Sequence, residues 1–592
     1  MENFSRRALH QPHFFHTVEI IFPHRGKLAQ TRQIPIESIP RLPYHATTMK
    51  LKFDYLRDSY RSRLAAAAPL AKGPFVAKEN AGQLLQAILR SGDRVCIEGD
   101  NQKQADFFAR HLAQLDPAQI NRLHMVQSTL VLPEHLDVFR RGIADRLDFA
   151  YSGPQAKALY QLATEKKVKI GAIHTYLELY GRYFVDLYPQ VAILVAEACD
   201  EAGNIYTGNN TEDSPLIAEA TRFKMGVVVV QAKQKLAQLP RVDIPASWVD
   251  FIVVTNEDYH LQPLFTRNPG KITPSQILMA MMTLKGIYQP YGVQALNHGL
   301  GYATAAIELL LPTYGAQLGL KGKVATHWVL NPHPTLIPAI EAGFVKHIYA
   351  FGGEPGMEQY VQARPDIFAV GPDGAMRSNR CCAHIAGLYA IDLFIGATLQ
   401  IDRYGNSSTA IQGMIAGFGG APNLGGTPPG RRHNSVATTA AGATSEQVFR
   451  GRKLVVQMTP TRSEKKNIPV FVDELDAQQL HKDGVFAEPP VMIAGEQVTH
   501  IVTEIGIAYL DKCPDSATRQ KAVAAVAGDT TVGATSTAAD REALRKAGIL
   551  KTVADLGLDP AQATTDLLPA HSLEDLVTAS GGLYRIPDGC AG

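Results

Sequence analysis

The sequence predicts an α/β protein built from two duplicated open domains with mostly parallel sheets, flanked by peripheral N- and C-terminal segments. Three observations carry this: a strand–helix–Gly–strand unit that occurs twice, short β-branched runs of the kind buried on both sheet faces, and helical stretches between them. At 592 residues, with 45% apolar and 19% charged side chains, the chain has material for more than one core.

The repeat opens at His124-Met-Val, a strand-like start, followed by helix-like LPEHLDVFRRGI ending near Gly142 and strand-like LDFAYSG. His327-Trp-Val, TLIPAIEAGFV and KHIYAFGG repeat the series at similar spacing. A Gly after each short helix suits its C-terminal cap. Further on, GAIHTYLELY from Gly171 leads to VAILVAEACDEAGN, ending at Asn204, and GAMRSNRCCA from Gly374 leads to IGATLQIDRYGN, ending at Asn406. Both close in an acidic turn with Gly-Asn, where a chain reverses after a buried strand. RVCIEGD, GVVVVQA, FIVVTN, KLVVQM and PVFV predict further strands, and KQADFFARHLAQL and TAAIELLLPTYGAQLGL the helices between them.

The expected division is 1–48 as an N-terminal extension (flexible, or an over-long start before Met49), 49–280 and 281–515 as the two α/β domains, and 516–592 as a helical tail packed on the core. Two related parallel sheets place a site at the carboxyl ends of their strands, in the cleft between halves.

Lys plus Arg number 58 and Asp plus Glu 56, a formal charge of +2. That balance gives no footprint for nucleic acid or a membrane surface, so an anionic ligand must be held by local groups. The six cysteines lack CxxC spacing and predict buried free thiols in a reducing cytoplasm. No apolar run reaches a membrane span, the best candidate being broken by Asn297, His298 and Glu308, and the first 48 residues lack a secretory apolar core.

Three segments could carry chemistry. Glu98-Gly99-Asp100-Asn101 and its repeat partner Asn297-His298-Gly299-Leu300-Gly301 are polar Gly turns between strand and helix, where exposed N–H groups attract an anion; a capped connection explains each alone. Gly417-Phe418-Gly419-Gly420-Ala421-Pro422-Asn423 lets the backbone approach a ligand and could stabilise the oxyanion of an attacked thioester, or could simply form a tight turn. Arg431, Arg432 and His433, just beyond, suit either phosphates or a solvated turn. Asn331-Pro332-His333-Pro334 stands at a strand's carboxyl end and makes His333 a pocket candidate beside a purely structural role. Metal-ligand spacings, a P-loop lysine and a GxSxG elbow are absent from the sequence.

These pieces resemble the class I CoA-transferase superfamily, through the turn at Glu98, TGNNTEDSP from Thr207, LPRVDIPASWVDFIVV from Leu239, GFGGAPN from Gly417 and HIVTEIGIAYL from His500. Within it, EGDNQKQADF, GAIHTYLELY, LMAMM, LNPHPTLIPAIEAG and GFGGAPN are similar to the malonate decarboxylase α-subunit family over roughly residues 50 to 590. The resemblance implies a transferase that exchanges acetate for malonate on a carrier-protein thioester. Its partners would be an acyl-carrier protein subunit bearing a phosphoribosyl-dephospho-CoA arm and carboxy-lyase subunits that decarboxylate the malonyl product. No cofactor would be held permanently by this chain.

Superfamily members use a glutamate nucleophile just after the first strand of the second half. Counted back from Ile340-Glu341-Ala342-Gly343, that place falls near Leu330 or Asn331, where no carboxylate stands. The expectation is a mixed anhydride formed by malonate itself, with Gly419 and Gly420 N–H groups and Asn331 as oxyanion donors. The binding set is Glu98, Gly99, Asn101, Asn297, His298, Gly299, Gly301, His333, Gly417, Phe418 and Asn423, with Arg377, Arg380 and His298 as unranked candidates for the second malonate carboxylate. A citrate lyase α subunit or a free CoA transferase would share much of this reading. A scaffold that only docks the carrier protein is the alternative of another class.

Overall fold

The computed structural model describes residues 17–20, 32–35, 52–99, 103–209, 211–376, 380–389, 391–426, 453–463 and 467–590. Residues 1–55 form one unit, in which Thr17–Ile20 pairs antiparallel with Arg32–Pro35. Leu56–Gly592 form a second.

Within the second unit, one strand order is used twice. The first sheet contains β1 (Arg94–Ile97), β2 (Leu123–Thr129), β3 (Ala144–Tyr151), β4 (Val191–Cys199), β5 (Val227–Lys235) and β6 (Phe251–Val254), ordered β6-β5-β4-β1-β2-β3. The second contains β7 (Ala295–His298), β8 (His327–Val329), β9 (His347–Tyr349), β10 (Leu393–Gly396), β11 (Leu454–Met458) and β12 (His500–Thr503), ordered β12-β11-β10-β7-β8-β9. All ten pairings along these two rows are parallel. The unit read from the sequence is β2–helix–β3 against β8–helix–β9, with helices Glu134–Arg140 and Ile337–Glu341 between the strands.

The edges differ. Lys169–Ile173 extends the first sheet beside β3, whereas antiparallel Gly506–Tyr509 and Leu550–Thr552 extend the second beside β12. The last of these comes from the tail expected as helical, which also carries helices Ser516–Val526, Ala538–Lys546 and Leu573–Ala579.

The valine run of β5 shows why these segments become strands. Val227 and Val229 join Val191, Ile193 and Val195 in the core on one face, while Val228 and Val230 join Ala192, Leu194 and Ala196 on the other. With both faces buried, no polar alternation is left to read, as in sheets covered by helices on both sides. Each valine so buried contributes on the order of 1.5–3 kcal/mol relative to exposure.

The Gly-Asn turns are built alike. Asp200 accepts the Asn204 backbone N–H at 2.8 Å and its side-chain amide at 2.9 Å; Asp402 does the same for Asn406 at 2.9 and 2.8 Å. Gly203 (φ 87°) and Gly405 (φ 85°) supply the left-handed step.

No disulfide joins the six cysteines. Cys96, Cys199 and Cys381 are buried as expected, Cys382 is exposed, and Cys513 and Cys590 lie between. No helix among the described residues is long and apolar enough to cross a membrane.

Candidate active site

In each sheet the strand order turns back between the first and fourth strands of the repeat, so a crevice opens at their carboxyl ends. In the second half this crevice is a cavity of about 370 Å³. Asn297 and His298 end β7 and Gly299 follows it on one side, while Gly396 ends β10 and Ala397 and Thr398 follow it on the other. Gly417, Phe418, Gly419 and Gly420 close it, and Tyr151 and Tyr176 reach it from the first half. Asn331, expected just after the first strand of the second half, lines it instead from the end of the second, β8; the place after the first strand is that of Gly299.

The glycine loop is fastened to β3 of the other half. Ser152 donates its backbone N–H to the Ala416 carbonyl at 3.0 Å, and the N–H groups of Phe418 and Gly419 both donate to the Ala150 carbonyl, at 2.7 and 2.9 Å. Gly417 (φ 83°) passes so close that a Cβ there would meet Ala150 O at 2.5 Å and Tyr151 Cα at 2.7 Å. Only glycine fits that crossing. The Gly419 N–H, expected as an oxyanion donor, is thus engaged by Ala150, because anchoring the loop takes the donors nearest the strand. The Gly420 N–H makes no hydrogen bond among the described residues.

Gly420 lies against His384, to whose Cε1 a Cβ would stand 2.2 Å away. That ring stacks on Phe351 (4.6 Å between centroids) and meets the edge of Tyr176 (5.7 Å). Burial, with the Arg380 charge nearby, pushes His384 down to about 3, so the imidazole is neutral. The Asn423 amide faces its Nδ1 at 3.3 Å, and with that nitrogen accepting, the proton sits on Nε2. Asn423, expected to touch substrate, instead fixes the tautomer of a ring that lines the cavity.

Asn331 is fully buried, with Nδ2 donating to Gly353 O at 2.7 Å and Oδ1 unpartnered. Asn297 donates to Val329 O. His298 has both ring nitrogens engaged: Nδ1 donates to Glu308 at 2.8 Å and Nε2 accepts from Tyr288 at 2.6 Å. It is a wall of the cavity, and burial holds it below the ordinary histidine value against the Glu308 charge. Glu308 also accepts from His333 Nδ1 at 2.9 Å and from Thr335. Burial opposes its charge, but His333 and His298 keep its carboxyl well below the usual range.

Other expected site residues fall elsewhere. Glu98 turns inward to Lys103 (3.3 Å), Ser214 and the Val195 N–H (2.7 Å), and the Gly99 carbonyl accepts from Ser128 and Thr129. This turn does not line the cavity; a buried lysine pairs the carboxylate that was read as anion-friendly. Arg380 is engaged by Glu212 and Asp213, the latter at 3.2 Å, and stacks over Tyr176. A guanidinium so neutralised is not open to malonate. Gly301 caps helix Tyr302–Leu310 and lines a small recess beside the cavity. Asn101, Arg377, Arg431, Arg432 and His433 lie outside the described residues.

Sequence reasoning missed Tyr151, Tyr176, Phe265, Glu308 and His384. Only Glu308 left a signal, as an acid inside the apolar stretch TAAIELLL, where a buried carboxylate implies partners.

The profile of the family described as malonate decarboxylase, alpha subunit, transporter matches residues 52–590. An acetyl-S-ACP:malonate ACP transferase of Malonomonas rubra is 52% identical over 543 residues, 90% of this chain and 98% of the relative. A solved Pseudomonas malonate decarboxylase hetero-tetramer in complex with malonate contains a chain 48% identical, with a TM-score of 0.86, covering 91% of this chain and 99% of that one. The α subunit of citrate lyase from Streptococcus mutans shares the fold at 16% identity and a TM-score of 0.54, over 76% of this chain and 82% of that one.

Proposed function

Because the chain belongs to the malonate decarboxylase α-subunit family, we propose that it is a transferase that exchanges acetate for malonate on a carrier-protein thioester, releasing malonyl-carrier protein and acetate. The observation that carries the mechanism is the lining of the cavity: among the described residues, no Asp, Glu, Lys, Arg, Ser or Cys side chain contributes to it. Its threonines are turned to the backbone, Thr398 to Gln400 and Ser408 carbonyls and Thr409 to that of Gly417. Burial keeps the Tyr151 and Tyr176 hydroxyls protonated, and both ring nitrogens of His298 and the Nδ1 of His384 are engaged, so in this reading the substrate supplies its own nucleophile.

A malonate carboxylate oxygen attacks the acetyl carbonyl of the thioester. The oxyanion that forms meets the Gly420 N–H and the neutral His384 Nε2–H, with Asn331 in the same cavity wall. Collapse breaks the C–S bond and gives an acetyl–malonyl anhydride and the carrier thiolate. That thiolate attacks the malonyl carbonyl, and acetate leaves. The thiolate ends in a new thioester, so no proton or electron is gained or lost. The apolar walls suit an uncharged acyl end on the slender amide arm of the phosphoribosyl-dephospho-CoA group, and exclusion of water protects the anhydride.

A second subunit type would carry that arm, and carboxy-lyase subunits would consume the malonyl thioester, consistent with the assembly of the Pseudomonas relative. A single turnover with malonate labelled with ¹⁸O in its carboxylates tests the mechanism. Direct attack places label in the released acetate. Label in a glutamate of the protein, with unlabelled acetate, overturns it.

A further inference from the structure

We propose that Arg267 and His333 hold the malonate carboxylate that does not react, an assignment that rests on the transfer reaction above. Beside the main cavity lies a small recess of about 10 Å³, room for about one oxygen atom. The two spaces share Phe265, Gly299 and Leu300 in their walls and so adjoin; the assignment sets the reacting carboxylate of a short dicarboxylate in one and its other end in the second.

Both polar side chains of interest line the recess and have capacity left. Arg267 is partly buried; its Nη1 donates to the Leu264 and Thr266 carbonyls at 2.6 and 2.9 Å, and it meets no carboxylate among the described residues. The turn that carries it is held by buried Glu354, which accepts the Phe265 and Thr266 N–H groups at 2.9 Å each and the Thr266 hydroxyl at 3.0 Å. The guanidinium is therefore placed before any ligand arrives. His333 is 5% exposed; its ring lies on Phe265 (4.8 Å, 19°), Nδ1 is committed to Glu308, and Nε2 is buried with no partner. An orphaned buried nitrogen calls for an explanation, and a ligand group in the recess would supply its partner.

The charges close as well. The Glu308 carboxylate and the Arg267 guanidinium balance each other without ligand. A carboxyl that enters with its own proton adds no charge: its O–H donates to the open His333 Nε2 and its other oxygen accepts from Arg267. Acetate has no second carboxylate to fill the recess, so the product of exchange is held less tightly than the incoming acid, which favours its departure.

Titration calorimetry of the full chain with malonate and with propionate, its singly charged counterpart of equal carbon count, tests this. Wild type should bind malonate tighter by tenfold to a hundredfold, roughly the span of charge-assisted hydrogen bonds. R267Q and H333Q should each weaken malonate by about tenfold or more and leave propionate unchanged, with R267K between. If R267Q does not fold, R267K and H333Q carry the same comparison. Equal loss of both acids, no loss of malonate, or a wild type that does not distinguish them would overturn the assignment. A wild type that binds malonate selectively but transfers nothing from an acetyl-carrier protein sinks the transferase reading and leaves the subsite standing.

Discussion

Gly417 crosses Ala150 at a distance that leaves no room for a side chain: a Cβ would stand 2.5 Å from the Ala150 carbonyl oxygen, at a φ of 83° that L residues rarely adopt. The contact joins the two halves of the duplicated fold, because Ala150 lies in β3 of the first sheet and Gly417 follows β10 of the second. G417V must displace the loop or break the Ala150 bonds to Phe418 and Gly419. Backbone strain alone costs about 1–3 kcal/mol. Transfer should fall below detection while binding of acyl-carrier protein, read by surface plasmon resonance, stays within a few-fold. Retained turnover would remove the loop from the mechanism, and loss of carrier binding would assign the loop to docking.

Gly420 and His384 offer a finer probe of the oxyanion. G420A drives a methyl into a ring held between Phe351 and Tyr176, and H384F removes the Nε2–H while keeping an aromatic wall. Loss of one oxyanion donor lowers kcat by about 10²–10³-fold. Each variant should do so with KM for malonate nearly unchanged. A change in KM alone would make His384 part of the binding wall and no more.

The ion cluster between halves should be costly to break. Arg380 is fully buried against Glu212 and Asp213, themselves 0% and 1% exposed. R380M leaves two buried carboxylates without that cation, and removal of one partner from a buried pair costs about 3–5 kcal/mol. Urea denaturation should show that loss for R380M and less of it for the triple variant R380M/E212Q/D213N. Equal stability of R380M and wild type would mean that the cluster is solvated in solution.

Much of the architecture was legible because a repeat is its own control. His124 and His327 stand at the openings of corresponding strands, and Asn204 and Asn406 close corresponding turns with the same Asp bonds, so the sequence spacing matched these two stretches to each other. The shared order of six strands was not legible, since buried parallel strands read as unbroken apolar runs with no mark of their neighbours. The site was half legible. The glycines at 417, 419 and 420 announced a close backbone approach, yet which N–H remains open depends on where Ala150 lies, a contact across more than 260 residues of chain. Glu98 misled for the same reason: the lysine that neutralises it is five residues away in sequence, but the burial that makes it a structural pair is tertiary.

Asp148 on β3 gives a last prediction, in pH. It accepts from His124 Nε2 and His174 Nε2 at 2.6 Å each, and Gly171 leaves the space, since a Cβ there would stand 2.4 Å from its carboxylate. Burial opposes the charge on His174, but the hydrogen bonds and charges of Asp148 and Glu178 prevail and raise it above its ordinary 6.5. Burial likewise opposes the charge on Asp148, and its two histidine partners hold it well below its ordinary 3.8. A raised histidine contributes stability in full below 6.5, the unfolded value, and loses it as pH climbs through the folded value. A depressed carboxylate contributes above 3.8 and loses that contribution as pH falls through its folded value. The pair is therefore most stabilising between 3.8 and 6.5. His174 immediately precedes Thr175, which caps helix Tyr176–Val185 and so seats Tyr176 at the cavity wall. H174Q should flatten the alkaline limb of a melting-temperature profile while leaving the limb below pH 3.8 largely in place, because His124 still bonds Asp148. An alkaline limb that survives in H174Q would assign that loss of stability to another group.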